Sequence, residues 1–242
     1  MKEQRTAIVT GAGKRVGAAL ATALVERGWT VLAHVRNAGD AVPPGTRAVA
    51  ADLASPDCAK IVFDAAAELP PVRLLVNNAA RFAWDGFGDF SPAEFDAHMH
   101  VNVRAPVLLI QELAAHHDSG DALVVNLLDS KLSAPNPDFL SYTLSKQALL
   151  GLTEIAARAL ADRGIRVNAI APALMLRSPG QSEENYAAMH ARNPLGRGVT
   201  TAEIVAALDY LIAATTVAGE VLTIDAGHRF DPPSRDVQFL EP

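Results

Sequence analysis

Two side chains that can move a proton lie four residues apart, at Tyr142 and Lys146. In a helix this spacing places both on one face, so they can belong to one site. A nearby ammonium favours the phenolate, and we therefore expect Lys146 to lower the pKa of Tyr142 toward neutrality. A phenol tuned in this way is a usable proton donor and acceptor. The alternative is a surface tyrosine beside a solvated lysine.

A glycine-rich turn near the N-terminus predicts a phosphate-binding loop. Thr10-Gly11-Ala12-Gly13-Lys14-Arg15-Val16-Gly17 follows an apolar run and precedes a helical pattern. We expect Gly11 to permit the tight turn, Gly13 to let the backbone approach a ligand, and Gly17 to let the helix pack close to the strand. Backbone N–H groups and the positive end of the helix would then face a pyrophosphate. A tight turn without a ligand is the alternative.

The end of the second predicted strand favours one dinucleotide over the other. His34-Val35-Arg36-Asn37 contains no Asp or Glu to accept hydrogen bonds from a ribose 2′-hydroxyl, so NAD lacks its usual anchor. Arg36, Lys14 and Arg15 can instead pair with a 2′-phosphate through charge-assisted hydrogen bonds. The sequence therefore favours NADPH as the cofactor. The alternative is that Arg36 is a solvated charge at a strand end.

Short β-branched runs alternate with longer helical patterns along the chain, which predicts βαβ units. The runs are apolar almost throughout, as in strands covered on both faces of a parallel sheet, and this predicts a doubly wound α/β fold. The predicted strands are 6–10, 30–35, 48–51, 74–76, 122–128, 166–170 and 221–224. The predicted helices are 15–28, 57–68, 92–116, 139–162 and 201–213, and Ser91 is the predicted N-cap of the third.

Two segments depart from this alternation. Residues 172–200 form a long connection after the sixth strand, which we interpret as a substrate lid with a short helix near 183–191. Residues 228–242 have no clear period, and we expect an irregular tail that either frays or docks on a partner subunit. Residues 1–242 are otherwise interpreted as one domain, because no linker, charge block or repeat interrupts them.

Composition excludes several classes of protein. The 242 residues carry a net charge of −6, which argues against a nucleic-acid partner. A single cysteine, Cys58, cannot form an intrachain disulfide, and no apolar stretch is long enough for a membrane span, so we expect a soluble chain in the cytoplasm. His98 and His100 face different sides of a predicted helix, and we predict no metal site.

Further motifs make the resemblance to a known family specific. Asp52-Leu53, Asn77-Asn78-Ala79, Asn102, Asn168 and Pro172 join the motifs above in the order and approximate spacing of the short-chain dehydrogenase/reductase family, over about residues 6–227. The resemblance implies a Rossmann-like, three-layer αβα sandwich with a seven-stranded parallel sheet, often assembled as a homotetramer.

The resemblance also implies roles for single residues. Asp52 would bind adenine, Asn102 would hold a water in a proton relay, and Lys146 would bind the nicotinamide ribose and tune Tyr142. The implied cofactor-binding residues are Gly11, Gly13, Lys14, Arg15, Val16, Gly17, Arg36, Asn37, Asp52, Leu53, Asn78, Ala79, Lys146 and Pro172.

The departures from the family pattern point to one branch. Most members have a glycine where this chain has Arg15, and a serine thirteen residues before the tyrosine where it has Asp129. With Phe82, these residues resemble the pteridine reductase and dihydromonapterin reductase branch. There the Phe stacks a pterin against the nicotinamide, the Arg helps to hold cofactor and substrate, and the Asp works with the Tyr. Ala80 and Ala173, in place of serines found in parasite-type pteridine reductases, make the bacterial dihydromonapterin type the closer likeness.

General chemistry supports that interpretation. A flat heteroaromatic ring gains stacking and apolar burial against Phe82, and the nitrogen beside a reduced carbon must receive a proton, for which Tyr142 is the donor. We expect Asp129 to resupply this proton or to accept a hydrogen bond from the phenol. In the alternative, Asp129 only caps a turn and Ser130 takes the usual serine role.

The sequence therefore predicts an NADPH-dependent reductase of a pterin-like small molecule, with Tyr142, Lys146, Asp129 and Asn102 as catalytic residues. Arg15, Phe82, Asp129 and Tyr142 are the predicted substrate-binding residues. Two alternatives stay open, namely a carbonyl reductase or alcohol dehydrogenase of the same family and a non-catalytic protein that senses NADP.

Overall fold

The computed structural model describes residues 4–177 and 180–240. Within these ranges seven strands form one parallel sheet in the order β3-β2-β1-β4-β5-β6-β7, which confirms the predicted doubly wound α/β architecture. The strands are β1 (Thr6–Val9), β2 (Thr30–Val35), β3 (Arg47–Ala50), β4 (Val72–Asn77), β5 (Ala122–Leu127), β6 (Ile165–Pro172) and β7 (Val221–Ile224).

The helices occupy the predicted positions, with one interruption. The predicted helix at 92–116 contains a π-helical stretch at His100–Arg104, and Ser91 caps its start by accepting a hydrogen bond from the Glu94 N–H. The α-helices are α1 (Arg15–Glu26), α2 (Cys58–Ala66), α3 (Pro92–Met99), α4 (Ala105–His116), α5 (Leu140–Leu160), α6 (Glu183–His190) and α7 (Thr201–Ala213).

Alternation along the strands builds a core on each face of the sheet. Ile8 faces the layer formed by α2, α4 and α5, where it packs with buried residues such as Leu109. Its neighbour Val9 faces the opposite layer, where α1 and α7 contribute Leu20 and Leu208. Both faces of the central strands are therefore apolar, which explains the continuous apolar runs of the sequence.

The strand order reverses at β1, which lies between β2 and β4. In open α/β sheets the ligand crevice forms beyond the carboxyl ends of the strands at such a point. Thr10 follows β1 and Asn78 follows β4, and the Asn78 N–H donates to Thr10 Oγ1 at 2.9 Å. The loops after β1 and β4 are therefore fastened together where a ligand would enter.

Residues 228–240 of the C-terminal segment pack on the rest of the fold. Residues 228–240 contain two short 3₁₀ turns, His228–Phe230 and Val237–Phe239, and fold over the carboxyl end of the sheet. Arg235 pairs with Asp138, at 2.7 Å between Nε and Oδ2, and this contact anchors the segment on the fold. Residues 178–179 of the predicted lid and 241–242 of the tail lie outside the described residues. Among the helices described, none is both long and apolar enough to cross a membrane.

Candidate active site

The loop between β1 and α1 is too crowded for side chains at three glycines. Gly11 has φ +65°, in the left-handed region, and a Cβ there would lie 3.1 Å from the Ala79 Cα. A Cβ on Gly17 would lie 2.2 Å from the Gly11 carbonyl oxygen. At Gly13 the close neighbour is the Ala41 carbonyl oxygen, 2.7 Å from a Cβ. The loop therefore keeps its N–H groups and the start of α1 next to the cleft only with glycine at these positions.

The His34 side chain is hydrogen-bonded to this loop, a role that the sequence analysis did not predict. The Gly11 N–H donates to His34 Nδ1 at 3.2 Å, and His34 Nε2 donates to the Ala51 carbonyl at 2.9 Å. Burial lowers the pKa of His34, so the ring stays neutral and Nδ1 stays an acceptor. A polar residue inside an otherwise apolar strand was the available signal, because buried polar groups are normally hydrogen-bonded.

A cleft of about 780 Å³ runs from this loop across the ends of β2 and β3. Arg36 lies at its rim with a 73% exposed side chain, and its Nη2 is 3.9 Å from Asp52 Oδ2. Asp40 accepts from the Asn37 N–H at 3.0 Å and fixes the loop after β2. The predicted cofactor-binding residues that line this cleft are Gly11, Gly13, Lys14, Arg15, Val16, Gly17, Arg36, Asn37, Asp52, Leu53, Asn78 and Ala79.

A second pocket of about 280 Å³ adjoins the first. Arg15, Val16, Asn78 and Ala80 line both, so a ligand in the cleft can reach into the pocket. The four predicted substrate-binding residues, Arg15, Phe82, Asp129 and Tyr142, all line this pocket, as do Lys146 and Pro172.

Arg15 joins both cavities to the predicted lid. It adopts φ +54°, a left-handed conformation that costs an arginine more than a glycine. Its guanidinium donates to the carbonyl oxygens of Leu176 and Arg177, at 3.2 and 2.9 Å. The side chain thus bridges the start of α1 to the segment after β6.

The three ionisable groups predicted to act together line one pocket, and two of them are in direct contact. Tyr142 and Lys146 lie in the first two turns of α5, and Asp129 follows β5. Tyr142 Oη donates to Asp129 Oδ2 at 3.0 Å, and Lys146 Nζ donates to the Leu127 carbonyl at 2.6 Å. Asp129 also caps the turn at 130–133 by accepting from the Lys131 N–H at 2.9 Å through Oδ1. Asp129 therefore makes both contacts at once, the cap through Oδ1 and the contact with the phenol through Oδ2.

The pKa of Tyr142 moves in the opposite direction to the one expected. Burial raises the pKa of Tyr142 well above its ordinary value, and the Asp129 carboxylate raises it further by disfavouring a second negative charge. Burial also lowers the pKa of Lys146 to about 8, against the opposing attraction of Asp129. The prediction that Lys146 brings the pKa of the phenol toward neutrality was wrong for this arrangement. The Tyr142 phenol keeps its proton and donates a hydrogen bond to Asp129.

Asn102 lines neither the larger cleft nor the smaller pocket. It is buried in the π-helical stretch, where its side chain accepts from the Arg81 N–H at 2.7 Å and donates to Ser145 Oγ at 2.9 Å. Ser145 Oγ in turn donates to the Tyr142 carbonyl at 2.7 Å. Asn102 therefore ties the loop after β4 to α5, and π-helical turns of this kind are common beside functional sites.

Aromatic rings form one wall of the pocket. The Phe82 ring is 43% exposed and stacks on Phe139, with centroids 4.3 Å apart and planes at 18°. It meets Tyr142 edge-on at 4.8 Å, and Phe139 also stacks on Phe239 at 6.0 Å. Phe139 and Phe239 do not line the pocket but stack behind Phe82, and the sequence analysis did not predict this support. Phe139 has φ +56° just before α5, and Phe239 comes from the C-terminal segment.

Comparison with known proteins places the chain in a family. The family model described as Enoyl-(Acyl carrier protein) reductase, of the short-chain dehydrogenase type, matches residues 11–229. D-erythrulose reductase of Gallus gallus is 31% identical over 92% of this chain and 95% of its own length. L-xylulose reductase of Mesocricetus auratus is also 31% identical, over 92% of this chain and 96% of its own.

A solved structure matches over nearly the whole chain. FolM alternative dihydrofolate reductase 1 from Brucella suis, crystallised in complex with NADP, superposes with a TM-score of 0.88 at 32% identity and covers 98% of this chain and 99% of that one. The chain belongs to the short-chain dehydrogenase/reductase family.

Proposed function

We propose that this protein uses NADPH to reduce a pterin-like substrate, converting a dihydropterin to a tetrahydropterin with Tyr142 as the proton donor. The observation that carries the proposal is the 3.0 Å hydrogen bond from Tyr142 Oη to Asp129 Oδ2. A serine at this position offers a hydroxyl that polarises a carbonyl. A carboxylate instead accepts a hydrogen bond from the phenol, and after taking up a proton from water it can pass that proton to the phenolate.

Reduction of a C=N bond suits this arrangement. The reaction ends with a proton on the nitrogen next to the reduced carbon, and the donor must therefore be protonated when the substrate arrives. Burial and the Asp129 charge hold the pKa of Tyr142 high, which keeps the phenol in that state. Asp129 lies at hydrogen-bond distance from the phenol and lines the pocket, so a proton that it takes up from water can pass to the Tyr142 phenolate afterwards.

The aromatic wall supports a flat substrate. Phe82 is backed by Phe139 on one face, and nearly half of its surface is exposed. A heteroaromatic ring that stacks on Phe82 gains apolar burial and the offset-stacking attraction between rings. The edge-on contact with Tyr142 at 4.8 Å holds the phenol beside such a ring.

The residues present fit NADPH. Glycine positions that a Cβ would fill, the start of α1 and the cations Lys14 and Arg36 line the larger cleft. When bound, this cofactor supplies the hydride. Lys146 lines the smaller pocket, donates to the Leu127 carbonyl at the end of β5 and would bind the nicotinamide ribose, and Arg15 would contact both cofactor phosphate and substrate.

Replacing Arg36 with alanine tests the choice of cofactor. We expect Arg36→Ala to raise the Kd for NADPH about 10-fold, since a charge-assisted contact to the 2′-phosphate is lost. The Kd for NADH should change less than about 2-fold, because NADH has no such phosphate. Titration of each nucleotide by fluorescence measures both constants. Arg47→Ala, an exposed arginine on β3 that does not line the cleft, is the matched control, and equal losses for the two nucleotides would contradict the assignment.

The similarity to FolM supports the pterin proposal, because that protein is described as an alternative dihydrofolate reductase and was crystallised with NADP. The curated relatives support the second candidate, a carbonyl reductase, because they are named reductases of erythrulose and xylulose. A third candidate, a non-catalytic NADP sensor, would keep the cleft without turnover. Tyr142 and Lys146 argue against it, since both catalytic groups are retained.

A matched assay separates these candidates. Dihydrobiopterin and dihydromonapterin are compared with a panel of ketones, each with NADPH and with NADH. We expect NADPH-dependent pterin reduction with a kcat/KM at least about 100-fold above that for the ketones, a ratio that favourable stacking and proton delivery can supply. Ketone turnover without pterin turnover would replace the proposal with the carbonyl reductase. Any turnover above background would exclude the sensor.

We also propose that the protein works in the cytoplasm as a homotetramer. Val107 on α4 and Leu144 and Ile155 on α5 are exposed apolar side chains, and Ile155 is 69% exposed. Such side chains are suited to packing between subunits.

A further inference from the structure

The C-terminal segment brings a carboxylate into the smaller pocket. Pro232, Pro233, Asp236 and Val237 all line it. The segment is held by Asp138, whose carboxylate accepts from the Arg235 guanidinium at 2.7 and 2.8 Å and from the Asp236 N–H at 2.8 Å. This clasp orients Asp236 toward the pocket without using its side chain.

The Asp236 side chain is only 18% exposed and faces Lys131, with 3.8 Å between Oδ2 and Nζ. That distance exceeds a hydrogen bond, whereas Oδ1 accepts from the Gln238 N–H at 3.2 Å. Lys131 is 10% exposed, lines the same pocket, and donates from Nζ to the Asp138 carbonyl. An acceptor oxygen and an ammonium therefore lie side by side with unused hydrogen-bonding capacity.

The side chains of Asp236 and Lys131 are both largely buried. Burial raises the pKa of Asp236 and lowers the pKa of Lys131, so the surroundings disfavour the charged form of each. A ligand group that hydrogen-bonds both would offset this desolvation. Neither residue takes part in the proton transfer described for Tyr142 and Asp129.

Lys131 and Asp236 together favour one kind of ligand group. A ring edge that offers only N–H donors would find no acceptor on the Lys131 ammonium, and a ligand carboxylate would be repelled by the Asp236 carboxylate. A hydroxyl can donate to Asp236 and accept from Lys131 at once. Two neighbouring hydroxyls can divide these contacts between them.

We propose that Lys131 and Asp236 form a subsite for a hydroxylated side chain of the substrate. The inference rests on the proposed function for the identity of the reacting ring. The preferred substrate thus carries hydroxyl groups on a side chain beyond the group that is reduced. The same chemistry would apply to a polyhydroxylated ketone, so the subsite does not depend on which group is reduced.

The test compares two substrate pairs that differ in hydroxylation. The first pair is 7,8-dihydrobiopterin and 6-methyl-7,8-dihydropterin, and the second is L-xylulose and 2-pentanone. In the wild-type protein we expect KM for the hydroxylated member to be about 10-fold lower, the effect of one hydrogen bond to a charged group. Asp236→Asn should remove most of this difference and leave KM of the unhydroxylated member and both kcat values within about 2-fold. Equilibrium binding to the protein loaded with NADP⁺ gives the same comparison without turnover.

Asp231→Asn is the matched control, because Asp231 is an exposed carboxylate in the same segment that does not line the pocket. It should keep the wild-type difference. A difference that survives in Asp236→Asn, that disappears equally in Asp231→Asn, or that is absent from both wild-type pairs would overturn the subsite. An Asp236-dependent difference for the ketone pair alone would keep the subsite and reject the pterin proposal, so the two failures are distinguishable.

Discussion

Asp129→Ser is expected to lower kcat for dihydropterin reduction by about 100-fold, within the range assigned to loss of a positioned acid or base. The substitution removes the carboxylate that accepts a hydrogen bond from Tyr142 Oη at 3.0 Å and that can relay a proton from water to the phenolate. Serine is itself a good N-cap, so the turn at 130–133 should keep its cap. Steady-state kinetics with NADPH and a dihydropterin measure the loss, and thermal unfolding checks that the fold is retained.

Ser130→Ala tests the alternative in which Ser130, and not Asp129, takes the usual serine role. Ser130 is buried and lines the same pocket as Asp129 and Tyr142. If Ser130 held the usual serine role, its removal would cost more activity than Asp129→Ser. We expect the reverse order, with Ser130→Ala within about 3-fold of wild type, as for a residue outside the proton relay.

The pH profile gives a second readout for Asp129→Ser. The Asp129 charge raises the pKa of Tyr142, so removing it should lower that pKa. Proton donation fails as pH rises through the pKa of the donor. The alkaline fall of the reduction rate should therefore begin at lower pH in the variant, and an unchanged profile would mean that Asp129 does not act on the phenol.

Gly17→Ala is expected to raise the Kd for NADPH at least about 100-fold, because the misplacement of a phosphate cradle forfeits several hydrogen bonds at once. The new Cβ would lie 2.2 Å from the Gly11 carbonyl oxygen and 2.5 Å from Asn78 Nδ2, distances that force the loop or α1 to move. Overpacking of this kind also costs about 1–3 kcal/mol of the free energy of unfolding. Nucleotide titration and thermal unfolding measure the two effects.

Gly88→Ala serves as the control for Gly17→Ala. Gly88 is exposed, and a Cβ there would have no heavy atom within 4 Å. It should bind NADPH like the wild-type protein. If Gly17→Ala also bound NADPH normally, the loop after β1 would not be the phosphate cradle.

The parts of the site that the sequence predicts are those set by local patterns. Each strand is a short apolar run, and the carboxyl ends of parallel strands share one edge of the sheet. Asp129 ends such a run, and Tyr142 begins the next helix, so their meeting at that edge follows from topology. Gly11 and Gly17 likewise follow from the tight turn between β1 and α1.

The parts that the sequence does not predict depend on distant packing. The pKa of Tyr142 is governed by burial, which no spacing rule supplies, and the expected influence of Lys146 was outweighed. Asp236 reaches the pocket through a contact with Asp138, 98 residues earlier in the chain. A segment of 13 residues without periodicity gives no sign of where it will pack. The sequence prediction used only the residues that follow His34, although the His34 ring accepts a hydrogen bond from the phosphate loop.

The clasp between Arg235 and Asp138 also bears on how the protein can be handled. Pro232, Pro233, Asp236 and Val237 wall the substrate pocket, whereas residues 4–5 precede β1 at the opposite edge of the sheet. Cleavage of the chain by a protease just before Pro232 would disturb turnover while leaving dinucleotide capture intact, because these residues do not line the larger cleft. Intact and cleaved preparations would then differ in activity but not in cofactor content.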